Sequence, residues 1–146
     1  MPEFTQEGTA KWTVWGKINQ TKFSIFHYKF PLIKPIILFE GIQLASFADI
    51  AAMKIHAIEQ RGTKRDFVDV YFLSQKYTLE EMLMFYQKKY SVLEDHLYST
   101  MRSLDYFDDA EKESQMPNML IEVNWDDVKE YFKKETHKLV QEKVQI

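Results

Sequence analysis

The sequence predicts an α+β protein, with a short hairpin or small sheet first and a helical bundle after it. Three observations predict this. Aromatic and β-branched residues cluster with turn residues before position 46. Helix caps and apolar spacing of three to four residues dominate after it. Strand and helix patterns do not alternate, which argues against a parallel sheet with crossover helices.

The chain has 146 residues, enough for one domain with a real core. Residues 1–10 read as a disordered start, and 11–146 as a single α+β domain with strands over 11–45 and helices over 46–146. KWTVWGKINQTKFSIFHYKF (11–30) is broken at Gly16 and at Asn19-Gln20 and reads as two strands of a hairpin. Pro31 and Pro35 end the second strand. PIILFEGIQLAS adds two short extended pieces around Gly41.

From Ser46 the pattern turns helical. Ser46 with Asp49 three residues on makes a capping box, and Gly62 suits the position after the helix end. A second helix covers about 64–75. Thr78 with Glu81 caps a third, to about Tyr90. Residues 91–112 read as helix with a break near Ser103, and Met116-Pro117-Asn118 as a linker. A last amphipathic helix runs from Asn124 or Trp125 to about Lys143, with Trp125, Val128, Phe132 and Leu139 on one stripe.

The net charge of −3 gives no global field for nucleic acid or an anionic membrane. The absence of cysteine excludes disulfides and thiolate metal sites and fits a cytoplasmic location. The opening MPEFTQEGTAKW lacks the basic start and apolar run of a signal peptide, and no apolar window is long enough to span a membrane. His27, His56, His96 and His137 show no ligand spacing, so no zinc site is expected. Asp105, Asp108 and Asp109 read as a solvated face. Trp12 and Trp15 suit either base stacking or packing.

Two charges stand out. On the first helix, Lys54 lies within the stripe Phe47, Ile50, Ala51, Ala57, Ile58. On the second, Asp69 is enclosed by Phe67, Val68, Val70, Tyr71 and Phe72. An unpaired buried charge is costly, so each needs a partner. A tight turn at Gly62-Thr63 would lay the helices side by side. Lys54 is therefore expected to meet Asp69, with Asp66, on the same face, as second choice. Such a pair can be structural, fixing helix register, or functional. Arg61, Lys64 and Arg65 surround the turn, a setting that suits phosphate.

Asp49-Ile-Ala-Ala-Met-Lys54-Ile-His-Ala57 fits D-x4-K-x2-A, and Arg65-Asp66-Phe67-Val68-Asp69-Val70-Tyr71 fits R-D-x2-D-[hydrophobic]-Y. In that order and spacing they resemble the nucleotidyltransferase toxins of the AbiEii/AbiGii family, as do LDYFDDAEKE and NWDDVKEYF later on. The resemblance covers residues 10–140. It implies transfer of a nucleoside monophosphate from an NTP with Mg2+, in some members to tRNA, within toxin–antitoxin or abortive-infection systems. It implies that Lys54 contacts the nucleotide phosphates and that Asp69 positions the network, with Arg65 and Asp66 in support. It makes Lys54, Asp69 and Asp66 the catalytic candidates and Lys54, Arg65, Lys64 and Arg61 the nucleotide-binding ones.

The Gly-Ser or Gly-Gly loop and the Asp-x-Asp pair of such enzymes are not found before residue 46. The resemblance is thus to the C-terminal portion of the family. A truncated form, inactive alone and not holding Mg2+ by itself, is expected. The alternative is a non-catalytic module that binds an antitoxin, a partner chain or itself as a homo-oligomer.

Overall fold

The computed structural model describes residues 3–144. Its α+β class is the expected one, a small antiparallel sheet followed by helices. The chain divides into two compact units, one through Phe30 and one from Pro31 onward.

The first unit is a three-stranded antiparallel sheet, β1 (Phe4–Ala10), β2 (Thr13–Ile18) and β3 (Thr21–Phe26), in that order. The expected hairpin is β2–β3. Its turn places Asn19 at φ +55°, a conformation asparagine tolerates better than most residues. Strand β1 corrects the reading of a disordered start over residues 4–10, while Met1 and Pro2 lie outside the described residues. Its sequence FTQEGTA is polar, and a bulge between Gln6 and Gly8 breaks the alternation that would reveal it. Gly8 is there for close approach: a Cβ would lie 2.3 Å from the Trp15 indole.

The second unit opens with a two-stranded hairpin, β4 (Ile37–Phe39) and β5 (Ile42–Leu44), turning at Glu40-Gly41. Six helices follow: α1 (Phe47–Gln60), α2 (Lys64–Leu73), α3 (Leu79–Tyr90), α4 (Glu94–Ser103), α5 (Asp108–Glu111) and α6 (Trp125–Val144). Ser46, Thr63 and Thr78 each accept a hydrogen bond from the backbone N–H three residues on. Only Thr78–Glu81 completes the reciprocal capping box. Ser46 and Asp49 do not, because the Asp49 carboxylate turns to other partners. Gly62, at φ +53°, lets the chain leave α1 and enter α2 within three residues.

Helix α1 packs on α2 and α3, and α6 closes against both of those. Ile55, Ile58, Phe67, Val70, Met82, Tyr86, Val128 and Phe132 form the buried centre. Phe67 is its pivot, with ring centroids 5.1 Å from Phe107, 5.9 Å from Trp125 and 5.0 Å from Phe132. Full burial of the Phe67 ring contributes about 1.5–3 kcal/mol, which anchors the start of α2 in the core. Among the described residues no helix is long and apolar enough to cross a membrane.

Candidate functional site

The α1–α2 turn brings the two singled-out charges together. Lys54 Nζ lies 2.6 Å from Asp69 Oδ2 and 3.5 Å from Asp66 Oδ1. Both the expected partner and the second choice are met. The Lys54 side chain is one quarter exposed (25%) and that of Asp69 39%, while Asp66 is fully buried. The ammonium is held by carboxylates yet still open to solvent on one side.

Asp66 is the hub. It accepts from Arg61 Nε at 2.8 Å and Nη2 at 2.9 Å, a bidentate clamp, and from Thr63 Oγ1 at 2.7 Å. Burial pushes its carboxyl up. The Arg61 and Thr63 hydrogen bonds and the Arg61 and Lys54 charges together outweigh that and hold it below the ordinary aspartate value. With both oxygens occupied, Asp66 orients its neighbours and has no lone pair aimed at a reactant.

The three basic residues of the turn part company. Arg61 and Arg65 are exposed and line an open cleft of about 510 Å³ with Thr63 and the segment 113–117. Lys64 is instead buried. Its ammonium donates to the Glu113 carbonyl at 2.5 Å, its backbone N–H to the Glu113 carboxylate at 3.1 Å, and it lies over the Trp125 ring. Its expected part in binding a nucleotide is not compatible with that placement, since an anion would have to draw it out of the core. Sequence spacing could not separate Lys64 from Arg65, because the partner Glu113 lies 49 residues away.

Two polar networks were not anticipated, one fully buried and one partly buried. Asp49 and Lys89 form an ion pair at 2.7 Å with both side chains fully buried. Asp49 also accepts from the backbone N–H groups of Ile33 and Lys34, and Lys89 donates to the Pro31 carbonyl. The pair therefore fastens segment 31–34 to α1 and α3. Glu59 joins α1 to α3 and α4, accepting from the Tyr86 hydroxyl at 2.7 Å and pairing with His96, with His56 at 3.4 Å. Burial, with the Glu59 carboxylate beside it, pushes the Tyr86 hydroxyl up to about 12.

The residues of this network do not fit Mg2+. Asp66 is saturated, Asp69 is engaged by Lys54, and two cations already stand within the network. Among the described residues no group of three or more histidine, aspartate and glutamate side chains is placed to hold a metal.

Residues 23–145 match the family described as "Nucleotidyl transferase AbiEii toxin, Type IV TA system". The chain belongs to the AbiEii toxin family. It is also 38% identical over 121 residues to the Uncharacterized protein aq_aa25 of Aquifex aeolicus (strain VF5). That match takes in 80% of this chain and 56% of the relative, so the AbiEii-family chain spans little more than half of the relative's length. No solved structure matches it significantly. Lys54, Arg61, Arg65, Asp66 and Asp69 all fall inside the family match; β1 and β2 fall outside it.

Proposed function

We propose that this chain supplies the phosphate-facing cations of a nucleotidyltransferase toxin, for transfer of a nucleoside monophosphate from an NTP to an acceptor such as tRNA. The observation that carries the reading is the state of Lys54, pinned by Asp69 and Asp66 and still partly open. Triphosphate chemistry rests on cations already in position rather than on covalent work by the protein. In this reading Lys54 meets a phosphate oxygen and Asp69 fixes its direction. Asp66 aims Arg61, and Arg65 adds charge at the mouth of the cleft. Magnesium, which the family reaction implies, finds no ligand set here, and the chain alone is inactive in this reading. An antitoxin as functional partner and a cytoplasmic site of action go with it.

A second reading, a partner-binding module, is favoured by the exposed apolar hairpin β4–β5, where Leu38, Phe39 and Ile42 are all exposed. The test is an amide-resolved NMR titration with each NTP and magnesium, on the natural chain and on Lys54→Ala. Shifts clustered over residues 54–69, lost in the variant, are the expected result. No shift with any nucleotide overturns nucleotide binding and leaves Lys54–Asp69 as a register pin between two helices.

A further inference from the structure

Strand β3 carries an open edge. It ladders with β2 alone among the described strands. His27 N–H donates to the Trp12 carbonyl at 2.9 Å, continuing the β2–β3 ladder past Phe26. By the alternation of an antiparallel ladder, residues 21, 23, 25 and 27 aim their backbone groups at β2, and Lys22, Ser24 and Phe26 aim theirs outward. All six residues of β3 are exposed, including Phe23 (44%), Ile25 (59%) and Phe26 (51%). An exposed edge of this kind is a template for another strand; β3 has no proline or bulge to blunt it, and Lys22 is its single charge.

That edge carries an apolar residue on either side of Ser24, in Lys22-Phe23-Ser24-Ile25-Phe26. We infer that β3 pairs antiparallel with β3 of a second copy, across a two-fold axis at Ser24, to join two three-stranded sheets into one of six. In this register Ser24 faces its counterpart. Phe23 faces Ile25 twice, an aromatic and β-branched pairing that stabilises sheets. Each Lys22 ammonium lies beside the other copy's Phe26 ring and away from the other lysine. A slip of one residue has no outward backbone groups to meet. A slip of two sets Phe26 opposite Gln20 in one direction and Phe23 opposite His27 in the other, and a slip of four toward the turn sets Lys22 opposite Lys22. A surface that is complementary to itself is what an isologous dimer requires. The family match begins at residue 23, so the sheet that β3 would extend lies largely outside what the family describes.

The chain has no cysteine, so one introduced thiol gives an unambiguous readout. Facing residues in a hydrogen-bonded antiparallel pair have Cα atoms about 5.5 Å apart, within disulfide range. In the 146-residue chain, Ser24→Cys is expected to form a disulfide-linked dimer under mild oxidation. Lys22→Cys is expected not to, since its two thiols would lie about 13 Å apart along the strands. Analytical ultracentrifugation of the natural chain is expected to show the 17.5 kDa mass doubling with concentration. Ser24→Pro removes two central hydrogen bonds while sparing the β2 ladder, and is expected to weaken the dimer about tenfold or more. A mass that stays monomeric at every concentration overturns the inference and leaves the edge to a strand of another polypeptide. Equal cross-linking by both cysteine variants, or a dimer unaffected by Ser24→Pro, overturns β3 as the contact.

Discussion

Asp66 shows what one buried carboxylate does when its partners sit on the same short turn. Its clamp on Arg61 and its bond from Thr63 are all within five residues, so no long-range docking is needed to form them. Replacement by alanine is expected to cost about 3 kcal/mol, read as a lower urea midpoint, because Arg61 loses its counter-charge and Lys54 keeps only that of Asp69. The pH dependence has a definite sign. Asp66, Asp49 and Glu59 are all held below their ordinary values in the fold, by hydrogen bonds and cations that outweigh the upward push of burial. Their contribution is complete above the ordinary carboxylate value of about 4 and is lost as pH falls through the lower folded-state values. Thermal melts from pH 7 to pH 2 should therefore show Asp66→Asn less stable at neutrality, with the gap closing in acid. A gap that is constant with pH would mean the carboxylate charge is not what Arg61 requires.

Helix α1 does most of the positioning at the next scale. One end is tied by Asp49 to segment 31–34 and to Lys89 of α3, and the other by Glu59 to α3 and α4. Lys54 lies between these two ties, which is why its ammonium can be aimed at α2. Breaking the fully buried Asp49–Lys89 pair on one side strands the other charge, at a cost of about 3–5 kcal/mol. Asp49→Ala and Lys89→Met should each be strongly destabilising, and the double variant should be clearly more stable than the sum of the two predicts. Additive losses in that double-mutant cycle would remove the ion pair as the fastening of segment 31–34.

The two compact units differ in kind. Among the described residues, the buried hydrophobic side chains lie between Ala48 and Leu139, while the sheet unit leaves Trp12, Phe23, Ile25 and Phe26 exposed. Cooperative stability of the helical unit is therefore expected to be its own. A fragment of residues 31–146 should keep the helical circular dichroism of that unit and melt within a few degrees of the parent's helical transition. Loss of helix on removing residues 1–30 would contradict this. The exposed apolar edge of the sheet unit is where a second copy is inferred to bind.

The amino-acid sequence alone determined that strands precede helices, the capped helix starts at Ser46 and Thr78, the glycine at the α1–α2 turn and the meeting of Lys54 with Asp69. Each of these depends on residues a few positions apart or on apolar periodicity, which a reader of the chain can measure. The family motifs also sit on that local stretch. Only the tertiary structure decided that Lys64 is buried on Glu113 while Arg65 stays at the surface, that Asp49 is an ion-pair partner of Lys89 beyond its place near a cap, and that Glu59 gathers His96, His56 and Tyr86. Apart from His56, a helix neighbour of Glu59, these partners lie 27 to 49 residues apart, and no spacing rule links them. Strand β1 was hidden for a related reason. Its polar residues carry little signal of their own, and the strand exists because β2 offers a ladder and Trp15 a ring to cover Gly8.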